Sequence, residues 1–170
     1  MRIMAHHERP PFSQLPQVSA EVIEKTFAEG MSLVEATAAY LDGPGREESK
    51  ILPRKVALAY AGESMRLTTR LMQVVSWLLV QRAVRQGEMK AEEAAQERYR
   101  LGSREVCEGA PMMAADLLPT KLLELLEGSR KLYEQVSRLD AMIYAPPAAP
   151  EPPQIRRTLD GLAAQFGEEE

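Results

Sequence analysis

The chain has 170 residues, 45% of them apolar and 27% charged, with a net charge of −4. That length suits one hydrophobic core, and so mild a charge makes neither a polyanion binder nor an acidic solvating chain. Cys107 is the single cysteine, which excludes an internal disulfide and a CxxC zinc site, and the longest apolar run, Val74 to Val80, is far too short to span a bilayer. A cytoplasmic protein without membrane insertion is expected.

Residues 1–18 read as a leader: they carry His6, His7, Pro10, Pro11 and Pro16 and lack the apolar stretch of a signal peptide. Ser19 is placed as an N-cap with Glu21 in the first turn, and Ile23, Phe27, Gly30, Val34, Ala38 and Leu41 then recur at steps of four and three. A first helix is predicted there, ending at Asp42-Gly43-Pro44-Gly45, where two glycines and a proline oppose helix. Pro53 opens a second helix whose face is Ala57, Tyr60, Ser64, Leu67, Leu71, Val74, Leu78 and Gln81, with Gly87 as its stop. At about 1.5 Å per residue this rod is about 50 Å long and needs partners along all of it.

Residues 90–101, rich in Ala, Glu and Arg, predict a short solvent-facing helix closed by Gly102, and 103–115 read as a loop long enough to recross the bundle. Pro119 opens a third long helix with the cleanest seam in the chain: Leu118, Leu122, Leu125, Ser129, Leu132, Val136, Leu139 and Ile143. Three such stripes are satisfied jointly, so the expected fold is all-α, an elongated antiparallel three-helix bundle over residues 19–145 with a short extra helix. Residues 146–170 form a Pro-rich tail expected to be disordered, carrying one short amphipathic island, Ile155, Leu159, Leu162 and Phe166, ahead of Glu168, Glu169 and Glu170.

Chemistry is sparse. His6 and His7 lack the fixed spacing and third ligand of a metal site, no other histidine can serve as a base, and no glycine-rich phosphate loop follows a strand. No cofactor, no metal and no catalytic residue are expected. Arg54, Lys55, Arg66, Arg70, Arg82 and Arg85 form a basic row on the second helix that could touch phosphates or an acidic protein. Its plainer reading is a solvated or intramolecular role, with Glu63 and Arg66 as a local surface ion pair, and no aromatic residues interleave for single-strand stacking. Met65, Met72, Met112 and Met113 read as core filler rather than as a soft surface. The island behind the proline spacer is read as a docking segment: burying its four side chains yields about 6 to 12 kcal/mol gross, and ordering about twelve residues costs a comparable sum. A second contact on the bundle then makes it useful by raising its effective concentration.

One resemblance stands beside this reading. Leu41-Asp42-Gly43-Pro44-Gly45-Arg46-Glu47-Glu48-Ser49-Lys50, Ala57-Leu58-Ala59-Tyr60, Glu63-Ser64-Met65-Arg66-Leu67-Thr68-Thr69-Arg70-Leu71-Met72-Gln73 and Ser76-Trp77-Leu78-Leu79 with Arg82-Ala83-Val84 resemble the alphaproteobacterial RcdA family. That resemblance implies a non-enzymatic adaptor for ClpX/ClpXP that promotes degradation of the cell-cycle regulator CtrA or other cargo, beside a CpdR-like response regulator and a PopA-like cyclic-di-GMP effector. It also implies a three-helix bundle able to form a homodimer, and a cytoplasmic protein that could gather at the cell pole. Partner-binding candidates are Asp42, Arg46, Arg66, Arg70, Ile155, Leu159, Leu162 and Phe166. The alternative is a DNA-associated helical regulatory protein using the basic row of the second helix, although no nucleic acid is expected as a partner.

Overall fold

The computed structural model describes residues 18–112, 114 and 117–144. Six helices occur among them: α1 (Ala20–Asp42), α2 (Pro44–Ile51), α3 (Arg54–Arg85), α4 (Ala91–Ala94), α5 (Arg104–Glu108) and α6 (Thr120–Tyr144), with a 3₁₀ turn at Glu97–Tyr99. The leader below Val18 and the tail with Ile155, Leu159, Leu162 and Phe166 lie outside the described residues, as does Met113.

The long helices begin and end where local chemistry asks. The Ser19 hydroxyl accepts from the Val22 amide at 3.3 Å at the start of α1. At the far end of α3, Gly87 adopts φ +74°, the left-handed conformation glycine takes without a Cβ clash.

The first helix does not simply stop at Gly43. The chain bends there and re-enters a helix at once, with Pro44 in the first turn of α2, where a missing N–H costs nothing. Gly45 permits the tight corner: a Cβ on it would come 2.5 Å from the Tyr60 hydroxyl and 2.8 Å from the Tyr40 ring. Tyr40 donates to Glu48 at 2.6 Å, clasping α2 back onto α1. Burial first, and that bond second, push the Tyr40 hydroxyl well above the usual phenol range.

α1, α3 and α6 are the three rods of the bundle. The α6 seam is buried from Leu118 to Val136, Ser129 included, and Leu139 and Ile143 pack partly buried against the core. In α1 the seam runs through Ile23, Thr26, Gly30, Thr37 and Tyr40, so Thr37 faces inward and Ala38, expected inside, is exposed. Thr26 can sit there because its hydroxyl bonds the Val22 carbonyl at 2.7 Å and accepts from Gln135 at 3.1 Å. Contacts fix the directions. Arg82 meets Glu24 and Gln135 meets Thr26, so α1 runs against both other rods, whereas Arg70–Leu126, Trp77–Asp140 and Gln81–Tyr144 hold α3 and α6 parallel.

Parallel neighbours require the chain to return between them, and the described residues of 86–119 do so as a strap along the α3–α6 groove. This strap is more than the solvent-facing helix and loop expected of it, because its own Ala94, Leu101 and Cys107 are buried. Its pins are polar. Asp140, buried in α6, accepts from Trp77 Nε1 at 2.8 Å and from Arg100 Nε and Nη2, each at 2.7 Å, and Arg100 also stacks on the Tyr144 ring at 4.4 Å. Tyr133 donates to the Gly102 carbonyl at 3.0 Å, Arg70 to that of Cys107 at 2.7 Å and Arg66 to that of Gly109 at 3.1 Å.

Candidate functional site

α3 has neighbours on three sides: α1, α6 and the strap. Its fourth side is covered only at one edge among the described residues, where Met112 of the strap lies on Gly62. There Leu58, Met65, Met72 and Leu79 stand at seven-residue steps, 69%, 68%, 69% and 49% exposed. At about 1.5 Å per residue the stripe runs for about 32 Å.

Two features make this face more apolar than scattered exposed hydrophobics. From Val56 to Gln81 the only charged residues of α3 are Glu63, Arg66 and Arg70, and all three turn under the strap. The residues between the large ones are small: Ala61 and Ser76 are exposed, and Thr68 and Thr69 return their hydroxyls to the Met65 carbonyl at 3.0 and 2.8 Å. A contiguous uncharged patch of this kind marks an interaction surface. Methionine at its centre lets it adapt to more than one shape. Met65 and Met72, expected as core filler, are therefore on the outside, and the signal that could have found them is the seven-residue repeat shared with Leu58 and Leu79.

The basic row divides. Arg70 is buried, donating to the Cys107 carbonyl and to that of Leu126 at 3.3 Å, and burial lowers its guanidinium pKa. Arg66 bonds Gly109 and lies 3.4 Å from Glu63, whose Oε1 also accepts from the Met112 amide at 2.8 Å, so the ion pair expected on the surface is enclosed. Arg82 pairs with Glu24 at 2.9 Å and lies over the Phe27 ring, and Arg85 donates to the Val18 carbonyl at 2.5 Å. Of the row, only Arg54 and Lys55 are exposed with neither an ion pair nor a side-chain hydrogen bond among the described residues; Arg85 is exposed but tied to Val18. With Arg66, Arg70, Arg82 and Arg85 engaged within the chain, no continuous cationic strip is left to follow a phosphate backbone.

Asp42 and Arg46 stand exposed at the α1–α2 corner, 3.9 Å apart. The structure does not bring them together with Arg66 and Arg70, which lie on α3 and hold the strap. A hollow of about 750 Å³ between α3, α5 and α6 has Arg66, Arg70, Cys107, Glu127, Arg130 and Tyr133 on its wall. Arg130 is held by Glu127 and Glu134 and Arg66 by Glu63, whereas Arg70 is in no ion pair among the described residues and gives its donors to the Cys107 and Leu126 carbonyls. The hydrogen bonds from Arg130 bring the Glu127 carboxyl down to about 2. Burial pushes the Cys107 thiol up, the wrong direction for a nucleophile. Among the described residues no group of three or more His, Cys, Asp or Glu could hold a metal ion, and no helix is long and apolar enough to cross a membrane.

Residues 15–166 match the family described as "Protein of unknown function (DUF1465)". Among solved structures the chain is similar to RcdA from Caulobacter crescentus CB15, at 53% identity and a TM-score of 0.61, over 75% of this chain and 94% of that one. No match is found among curated proteins.

Proposed function

The chain belongs to the RcdA family, and from that premise we propose that it is a non-enzymatic protease adaptor, promoting ClpXP-dependent degradation of cell-cycle regulators such as CtrA. In this reading the bundle presents cargo or a CpdR-primed protease with the uncharged face of α3, and a PopA-like effector belongs to the same assembly. The arm with Ile155, Leu159, Leu162 and Phe166 supplies a second weak contact, and the exposed Asp42–Arg46 corner flanks the first. Self-association is a further use of the same kind of face. Arg66 and Arg70 serve by holding the strap rather than by touching a partner. The work is done in the cytoplasm.

The observation that carries this proposal is the Leu58–Met65–Met72–Leu79 stripe: about 32 Å of uncharged helix, touched among the described residues only by Met112 at Gly62, suits the apolar side of a partner helix. The experiment is a reconstituted ClpXP reaction with its cargo. Met65→Glu combined with Met72→Glu leaves the core intact and is expected to abolish stimulated cargo turnover while the protease keeps its basal rate on an adaptor-independent substrate. Removing residues 146–170 is expected to reduce delivery with little change in thermal stability. Undiminished delivery by the double variant overturns the role of the face, and undiminished delivery by the shortened chain overturns the role of the arm.

A further inference from the structure

The last described residue, Tyr144, accepts a hydrogen bond from Gln81 at 2.8 Å, so the chain leaves α6 beside the C-terminal end of α3. The next ten residues, 145–154, contain five prolines. Extended at about 3.1 Å per residue they span about 31 Å, against about 10–12 Å for the width of a helix with its side chains. That is enough to round α3 and reach Met72, nine residues or about 14 Å down its axis.

From this geometry we propose that segment 155–166 docks in cis on the exposed face of α3, running antiparallel to it, and that a partner gains the face by displacing this segment. The inference rests on the α3 face being a docking surface and is independent of which protease or cargo uses it. Three matches support the assignment. Ile155, Leu159, Leu162 and Phe166 fall on one side of a helix, with Arg156, Arg157 and Asp160 turned away from that side. Eleven helical steps from Ile155 to Phe166 cover about 17 Å, the same run as Met72 to Ala61, so Phe166 meets a small residue. Glu168, Glu169 and Glu170 then come to the start of α3, where Arg54 and Lys55 are exposed and in no ion pair among the described residues. An uncharged strip bounded by two cations is complementary to an apolar segment ending in three carboxylates.

The contact is weak by construction. Ordering about twelve residues offsets most of what four buried side chains provide, so the docked form depends on the short tether's effective concentration, of order millimolar. A partner with a better fit removes it.

The test is methionine oxidation by hydrogen peroxide, followed by peptide mass spectrometry on the full chain across a range of protein concentrations. Met142 on α6, 52% exposed, is the internal reference. Met65 and Met72 are expected to oxidise about fivefold more slowly than Met142 at every concentration, corresponding to a docked-to-free ratio near four. Leu162→Asp with Phe166→Asp is expected to erase that protection, and Arg54→Glu with Lys55→Glu to reduce it; neither pair touches the buried core. Equal rates in the parent and the Leu162/Phe166 variant overturn the proposal. Protection that appears only as concentration rises overturns it too, because a second copy then covers the face. No protease or cargo enters the measurement, so its failure leaves the adaptor reading standing, and a failed delivery assay leaves the footprint standing.

Discussion

α6 and the outer side of α3 carry the same pattern and meet opposite fates. Leu118, Leu125, Leu132 and Leu139 step by seven into the core, whereas Leu58, Met65, Met72 and Leu79 step by seven into solvent. The comparison teaches that a heptad repeat reports a helix face in need of a neighbour without saying whether that neighbour lies in the same chain. Composition separates the two. The inner stripe uses leucine, which packs in few rotamers, and the outer one puts flexible methionine at its centre.

The comparison can be broken most directly by truncating one residue from each stripe. Leu132→Ala is expected to cost about 2 to 5 kcal/mol in a denaturant titration, since it removes a fully enclosed side chain next to Gly30. Arg100→Met tests whether the strap belongs to the inner world: it leaves the buried Asp140 carboxylate with Trp77 alone, and a loss of about 3 kcal/mol is expected by the same titration. Gly45→Ala, which crowds Tyr40 and Tyr60, is expected to cost about 1 to 3 kcal/mol and to loosen α2 first, visible as faster amide exchange over 44–51.

A smaller effect appears only in alkali. Burial pushes the Tyr133 hydroxyl up to about 12 from the ordinary 10. A raised folded-state value means the folded form holds its proton longer, so this contribution to stability is complete below pH 10 and is lost as pH rises from 10 to 12. An absorbance titration of the wild-type chain is expected to show Tyr133 ionising late, and Tyr133→Phe to remove that late step. The smallest effect belongs to the outer stripe: Met65→Ala and Met72→Ala should change stability by less than about 0.5 kcal/mol. A larger loss from either would mean the stripe is packed in the free chain.

Much of this fold is legible in the sequence because helical periodicity and end signals are local. The α6 seam, the α3 face from Tyr60 to Gln81, the Ser19 cap and the Gly87 stop all stand where their residues place them. Thr26 escapes such reading because a threonine counts as polar until its hydroxyl finds the carbonyl one turn back and a glutamine on another rod, and Thr37 because its hydroxyl is buried with no hydrogen-bond partner among the described residues. α2 escapes it because Gly43-Pro44-Gly45 is equally good chemistry for a turn and for a sharp re-entry into helix. The strap escapes it for a deeper reason: beside the Arg100–Asp140 pair, several of its anchors are backbone oxygens that accept from side chains about 30 to 40 positions distant, as in Arg70 to Cys107, and an oxygen every residue owns leaves no letter in the sequence. The outer stripe was legible as a pattern and illegible as a surface, since exposure depends on which sides of α3 the other rods occupy.

That last kind of anchor has a consequence for how the protein can change. Arg66, Arg70 and Tyr133 grip peptide oxygens, so any amino acid able to follow the same backbone path presents an equivalent handhold. Cys107→Ala, for example, keeps the oxygen that Arg70 holds. At these grip points the returning segment can alter its lettering, while the gripping side chains, the Arg100 side chain and the buried Leu101 cannot, and substitutions at the grip points can reshape the hollow without unfastening the bundle.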